Sequence, residues 1–184
     1  MNIGKQMYGW VRDLFEVNRS ITGEGVRETL GYLSNLIPNF EIHSIKSGSK
    51  VFDWTVPDEW SINSAYISDE AGNKILDFSE NNLHVVGYST PIDRWIDLEE
   101  LKEHLHTLPG QPDAIPYVTS YYSKNWGFCM THNKKCSLKR GKYKVCIDSK
   151  IYPGFLNYGE LIIPGETSEE ILISTYICHP SMAN

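Results

Sequence analysis

The chain has 184 residues, 41% apolar and 12% aromatic, enough to bury a core and to exclude disorder. Its formal charge of −6, with Lys and Arg scattered, argues against a nucleic-acid partner, because phosphate binding needs clustered cations. No apolar run reaches bilayer length, so no membrane partner is expected; the location is expected to be cytoplasmic, with the four cysteines as free thiols.

Ile3, Met7, Trp10, Val11, Leu14 and Phe15 recur at helical spacing and predict an amphipathic helix over 3–15. Arg19-Ser20-Ile21-Thr22-Gly23 reads as a turn into a second helix. Thr22 is its expected cap, Glu24 lies in its first turn, and Val26, Leu30, Leu33 and Ile37 share one face up to Pro38. Residues 40–45 read as a strand. Helices followed by a strand open an α/β layer.

From Lys46 the character changes to short β-type runs separated by turn residues. Strands are predicted at 51–56, 62–67, 74–78, 83–88, 117–122 and 142–148, with a hairpin around Asp69-Glu70-Ala71-Gly72-Asn73. Asp97 and Glu100 have capping-box spacing before a helix with Leu98, Leu101 and Leu105 on its buried stripe. Residues 108–116 read as a Pro-rich loop, 126–132 as a turn or short helix, and Tyr152-Pro153-Gly154 as a crossing back. The expected architecture is therefore an α/β domain formed by 1–46 and 153–184, interrupted by an inserted, mostly β domain at 47–152.

Glu160-Leu161-Ile162-Ile163 and the run Ile171 to Ile177 flank a Pro164-Gly165 turn, which reads as a hairpin. The second run fits neither two-residue alternation nor a helical repeat, so it is expected to be a strand buried on both faces. A polar group at the carboxyl end of such a strand sits where open α/β sheets place ligands, which makes His179 the principal candidate for chemistry. The plainer reading is a histidine that ends a strand before Pro180.

Hairpin, strand and terminal histidine together resemble the start of the catalytic core in co-catalytic zinc aminopeptidases. Arg19-Ser20-Ile21-Thr22-Gly23, Leu83-His84-Val85-Val86, Trp126-Gly127-Phe128-Cys129 and Tyr176-Ile177-Cys178-His179-Pro180 narrow this further. With them the chain resembles, over nearly its whole length, the aminopeptidase-like family of bacterial polysaccharide-biosynthesis proteins. The resemblance implies a partial aminopeptidase-like α/β core with the start of a mixed sheet, and His179 as the first zinc ligand. It also implies that the remaining ligands and the catalytic carboxylate lie downstream, so the sequence reads as the N-terminal part of a longer hydrolase. Peptidases of this type carry His-x-Asp, whereas Ser181 stands here and cannot supply the second-shell charge that orients the imidazole. Asn184 falls where the family begins the turn that carries its metal-bridging residue.

Candidate substrate contacts are Arg19 and Thr22, at a helix N-terminus that attracts anions, together with Trp126 and His132. The implied substrate is a small peptide or aminoacyl compound, and self-association is left open. A competing expectation is a non-catalytic scaffold whose β insert binds carbohydrate, through aromatics such as Trp54, Trp60, Tyr88, Trp95, Tyr121 and Trp126, or a protein partner. Cys129, His132, Cys136 and Cys146 have a spacing that could hold structural zinc, set against the ordinary behaviour of Cys146 as a small buried thiol in a strand. His84, His104 and His106 read as strand and helix-surface residues, and His43 as an outward one.

Overall fold

A computed structural model describes residues 2–180. In chain order its elements are α1 (Ile3–Leu14), α2 (Glu24–Leu36), β1 (Glu41–Lys46), β2 (Lys50–Val51), β3 (Trp54–Thr55), β4 (Glu59–Ser68), β5 (Lys74–Asp77), β6 (Ile92–Asp97), α3 (Leu98–Glu103), β7 (Leu105–His106), β8 (Phe128–Cys129), α4 (His132–Cys136), β9 (Lys142–Tyr152) and β10 (Phe155–Glu160). The fold is mixed α/β with small, mostly antiparallel sheets. They form two compact units: among the described residues one joins the chain up to Glu59 with residues 152–180, and the other is Trp60–Ile151.

In the first unit, the Asn2 side chain accepts from the Gly4 amide at 3.0 Å and caps α1, as a short polar side chain at this position does. β1 and β10 form an antiparallel ribbon with Glu41 opposite Glu160 and Lys46 opposite Phe155. Where the resemblance implied the start of a mixed sheet, the described residues of this unit instead form a two-stranded antiparallel ribbon. The predicted strand 51–56 is instead a tight hairpin of β2 and β3, turning through Phe52, which takes a φ of 54°. The ribbon is tied to α2 through Glu59, which is only 3% exposed. Its carboxylate accepts from Arg27 Nη2 at 2.6 Å, Tyr152 Oη at 3.0 Å and the Phe155 amide at 3.1 Å. A buried carboxylate needs such donors because it has lost its water.

The second unit is built on a four-stranded sheet in the order β5-β4-β9-β6, with Ala65, Ile67, Leu76, Ile96, Val145 and Ile147 in its core. The hairpin at 69–73 forms as expected: the Asp69 carboxylate accepts from the amides of Ala71 and Asn73, fixing an Asx-type turn. Three local expectations are overturned. Residues 82–84 make a 3₁₀ turn rather than the start of a strand, because the Asn81 side chain accepts from the Leu83 amide and satisfies the backbone locally. The capping box at Asp97 does not form: its side chain makes no cap bond, and Glu100 pairs with Arg94 instead. Residues 117–122 are not a strand; they make one isolated β-bridge, Gly87 with Thr119, in which the Gly87 amide donates to the Val118 carbonyl and the Ser120 amide to the Gly87 carbonyl. The segment 126–132 contributes β8, which pairs in parallel with β7, Leu105 opposite Phe128.

Residues 161–178 form no strand among the described residues. The expected hairpin and buried strand are therefore corrected. Composition there favours a strand, but a strand needs neighbouring N–H and C=O groups, and no described segment pairs with it. Ile171, Leu172 and Ile173 are 92%, 90% and 88% exposed. Ser181 and Asn184 lie outside the described residues. No helix among the described residues is long and apolar enough to cross a membrane.

Candidate functional site

The turn between α1 and α2 takes its shape from two glycines. Gly23 is the N-cap of α2 at φ 101°, a conformation that side chains disfavour, so the expected capping role of Thr22 passes to it. Thr22 is buried instead, 2% exposed. A Cβ on Gly25 would collide with the Asn18 carbonyl, so the absent side chain lets the 18–19 backbone lie against the first turn of α2. That contact sets Arg19. Its Nη1 donates to the Leu14 carbonyl at 2.6 Å and its Nε to the His179 carbonyl at 2.9 Å. Burial lowers its pKa, which the Glu28 carboxylate opposes.

His179 is half-buried beside this turn, its ring edge-on to Tyr176 at 5.2 Å between centroids. Partial burial, and then the positive charge of Arg19, hold its imidazole below its ordinary pKa. It is thus biased toward the neutral form that ligates metals. The ring does not sit at the mouth of an interior strand, because that strand is not formed here. Among the described residues no three His, Cys, Asp or Glu side chains gather as a metal site, so the described residues do not by themselves fit zinc.

Trp126 stacks on His104 with ring centroids 3.6 Å apart, and its carbonyl is 3.0 Å from His104 Nδ1. His104 caps the end of α3 and His106 lies on β7, so the two are not on one helix as expected. His132 opens α4: its Nδ1 is 3.1 Å from Thr107 Oγ1 and its Nε2 is 3.4 Å from Cys136 Sγ. Ser89, fully buried, organises this region: its carbonyl accepts from Trp60 Nε1 and Ser149 Oγ, and its hydroxyl accepts from the Gly127 amide. Arg19 and Thr22 thus lie in the first unit, Trp126 and His132 in the second.

Several aromatics offered as a sugar platform are packing residues. Trp60 stacks on Tyr88 at 5.8 Å, both 4% exposed, and Tyr88 meets Tyr121 edge-on at 5.0 Å. Stacked ring pairs of this kind belong to cores. The structural-zinc quartet is not assembled: Cys129 is fully buried on β8, where burial pushes its thiol up to about 12, while Cys136 is exposed. His84, expected on a strand, is buried, with Nδ1 2.9 Å from the Cys129 carbonyl. Its motif, Leu83 to Val86, was legible in the sequence but its contact was not, since the partner is a backbone carbonyl 45 residues away.

Residues 59–150 match the profile of a family described as a domain of unknown function, DUF2172. The chain belongs to this family. A protein of Clostridium acetobutylicum, named as a candidate polysaccharide-biosynthesis protein with an aminopeptidase-like domain, is 54% identical to this DUF2172 chain over 181 residues, 98% of it. A crystal structure of a candidate peptidase from Clostridium acetobutylicum superposes with a TM-score of 0.94 at 53% identity over 99% of the chain. The aminopeptidase-like family indicated by the sequence motifs is therefore the right one. The DUF2172 chain spans 42% of the first relative's length and 43% of the second's.

Proposed function

We propose that this chain is the N-terminal portion of a cytoplasmic, zinc-dependent aminopeptidase-like hydrolase linked to polysaccharide biosynthesis, with residues 47–152 as an inserted, β-rich domain. The reaction class is metal-assisted hydrolysis of an amide bond in a small peptide or aminoacyl substrate. His179 supplies one zinc ligand, and the rest of the longer polypeptide supplies the others. Arg19 holds the backbone that presents it, and Thr22 is a further candidate contact for substrate within the same unit.

One observation carries this reading: a nearly fully exposed apolar run, Ile171 to Ile173, leads into a histidine whose backbone is already tethered by Arg19. Burying such side chains is worth about 2 kcal/mol each, so the run is suited to pair and pack within a larger core. The names of the two relatives support the hydrolase class. The test is hydrolysis of aminoacyl p-nitroanilides by the full-length natural polypeptide, with and without a chelator. The proposal expects turnover that the chelator abolishes and that His179→Ala lowers by about a hundredfold or more. Turnover absent, or indifferent to chelator, would leave a non-catalytic scaffold.

A further inference from the structure

Outside the segment ending in His179, one cluster in the second unit has the arrangement of an activated nucleophile. Cys136 closes α4 with its side chain exposed. One helical turn earlier His132 brings Nε2 to 3.4 Å from Sγ, and on its other nitrogen Nδ1 lies 3.1 Å from Thr107 Oγ1. An exposed thiol, a base within reach and a third group that fixes the base are the parts that make a thiol reactive. Thr131 adds rigidity: its hydroxyl accepts from the Lys134 amide and caps α4, so the i, i+4 pair is held on one face.

We propose that Cys136 is a covalent modification site that forms mixed disulfides with low-molecular-weight disulfides, with His132 as its base and Thr107 as the positioning residue for His132. In the required tautomer, Nδ1–H donates to Thr107 Oγ1, which leaves the Nε2 lone pair facing the thiol. The Cys136 proton moves to Nε2, and the thiolate attacks one sulfur of the disulfide. The new S–S bond forms as the old one breaks, and the departing thiolate takes the proton back from the imidazolium. One thiol and one disulfide are consumed, and one thiol and one mixed disulfide are produced. No other oxidant is needed.

The other described cysteines lack this arrangement. Cys129 is buried with its thiol pushed up to about 12, and burial also raises Cys146 and Cys178, so all three are disfavoured as thiolates. The proposal is independent of zinc and of peptidase activity.

The experiment is mixed-disulfide formation with oxidised glutathione at pH 7, followed at each cysteine by peptide mass spectrometry. Cys136 is expected to react first, and His132→Gln to slow it about tenfold. Thr107→Val is expected to slow it several-fold, and Thr107→Ser, which keeps the hydroxyl, to restore the original rate. Reactivity at the buried Cys129 reports unfolding; if His132→Gln exposes it, the comparison of Thr107→Val with Thr107→Ser decides. A Cys136 rate unchanged by His132→Gln in the folded protein, or equal in the two Thr107 variants, would overturn the proposal.

Discussion

Arg19 Nε donates to the backbone carbonyl of His179 at 2.9 Å, joining residues 160 positions apart. A hydrogen bond from a charged donor contributes about 1.5–3 kcal/mol. Arg19→Met is therefore expected to raise amide exchange across 176–179 by about tenfold. It should also raise the His179 pKa, since it removes a neighbouring positive charge. Exchange by NMR and a His179 titration check both; a pKa that falls or stays put would show that the guanidinium does not act on the imidazole.

The Arg27–Glu59 pair should dominate the acid stability of the first unit. Burial pushes the Glu59 carboxyl up, but donation from Arg27, the Phe155 amide and Tyr152 outweighs it, and the folded pKa falls below the ordinary 4.5. A depressed carboxyl stabilises the fold above its unfolded pKa, and that contribution is lost as pH falls from about 4.5 through the folded value. Arg27→Met, which leaves the buried charge short of its main donor, should cost about 3 kcal/mol at pH 7 by urea denaturation. The penalty should shrink below pH 4; a penalty independent of pH would point to lost packing rather than lost charge.

His84 should give the second unit a separate acid response at higher pH. Burial holds its imidazole below 6.5, while the Cys129 carbonyl works in the opposite direction. The neutral form is favoured in the fold, so stability is complete above about 6.5 and declines as pH falls through the folded pKa. His84→Asn is expected to lower stability at pH 7 by about 1–2 kcal/mol and to remove the decline that begins as pH falls below about 6.5. Thermal melts across that range test it; a slope retained in the variant would assign the response elsewhere.

The contrast between legible and illegible segments has a physical basis. α1, α2, the hairpin at 69–73 and β9 were readable because their signals are local: helical spacing, an Asx turn, and apolar alternation around Tyr143, Val145 and Ile147. β6 was missed because Asp93, Arg94 and Asp97 dilute its pattern, and its strand state comes from pairing with β9. His43, read as an uninformative outward residue, stacks on Tyr158 across the β1–β10 ribbon, a contact set by register rather than by sequence. The run 171–177 has strand composition without a described partner. Of the candidate site, residue types were legible and juxtapositions were not: the link from Arg19 to His179 and the pairing of His132 with Cys136 depend on tertiary packing and on a side-chain rotamer.

The most direct test of the central claim is the zinc content of the full-length natural polypeptide and its His179→Ala variant, by metal analysis after dialysis against dilute zinc. If His179 is a ligand, the parent protein retains at least one zinc per chain, and the variant binds it at least tenfold more weakly. Equal zinc retention in both proteins, or none in the parent, would contradict the account.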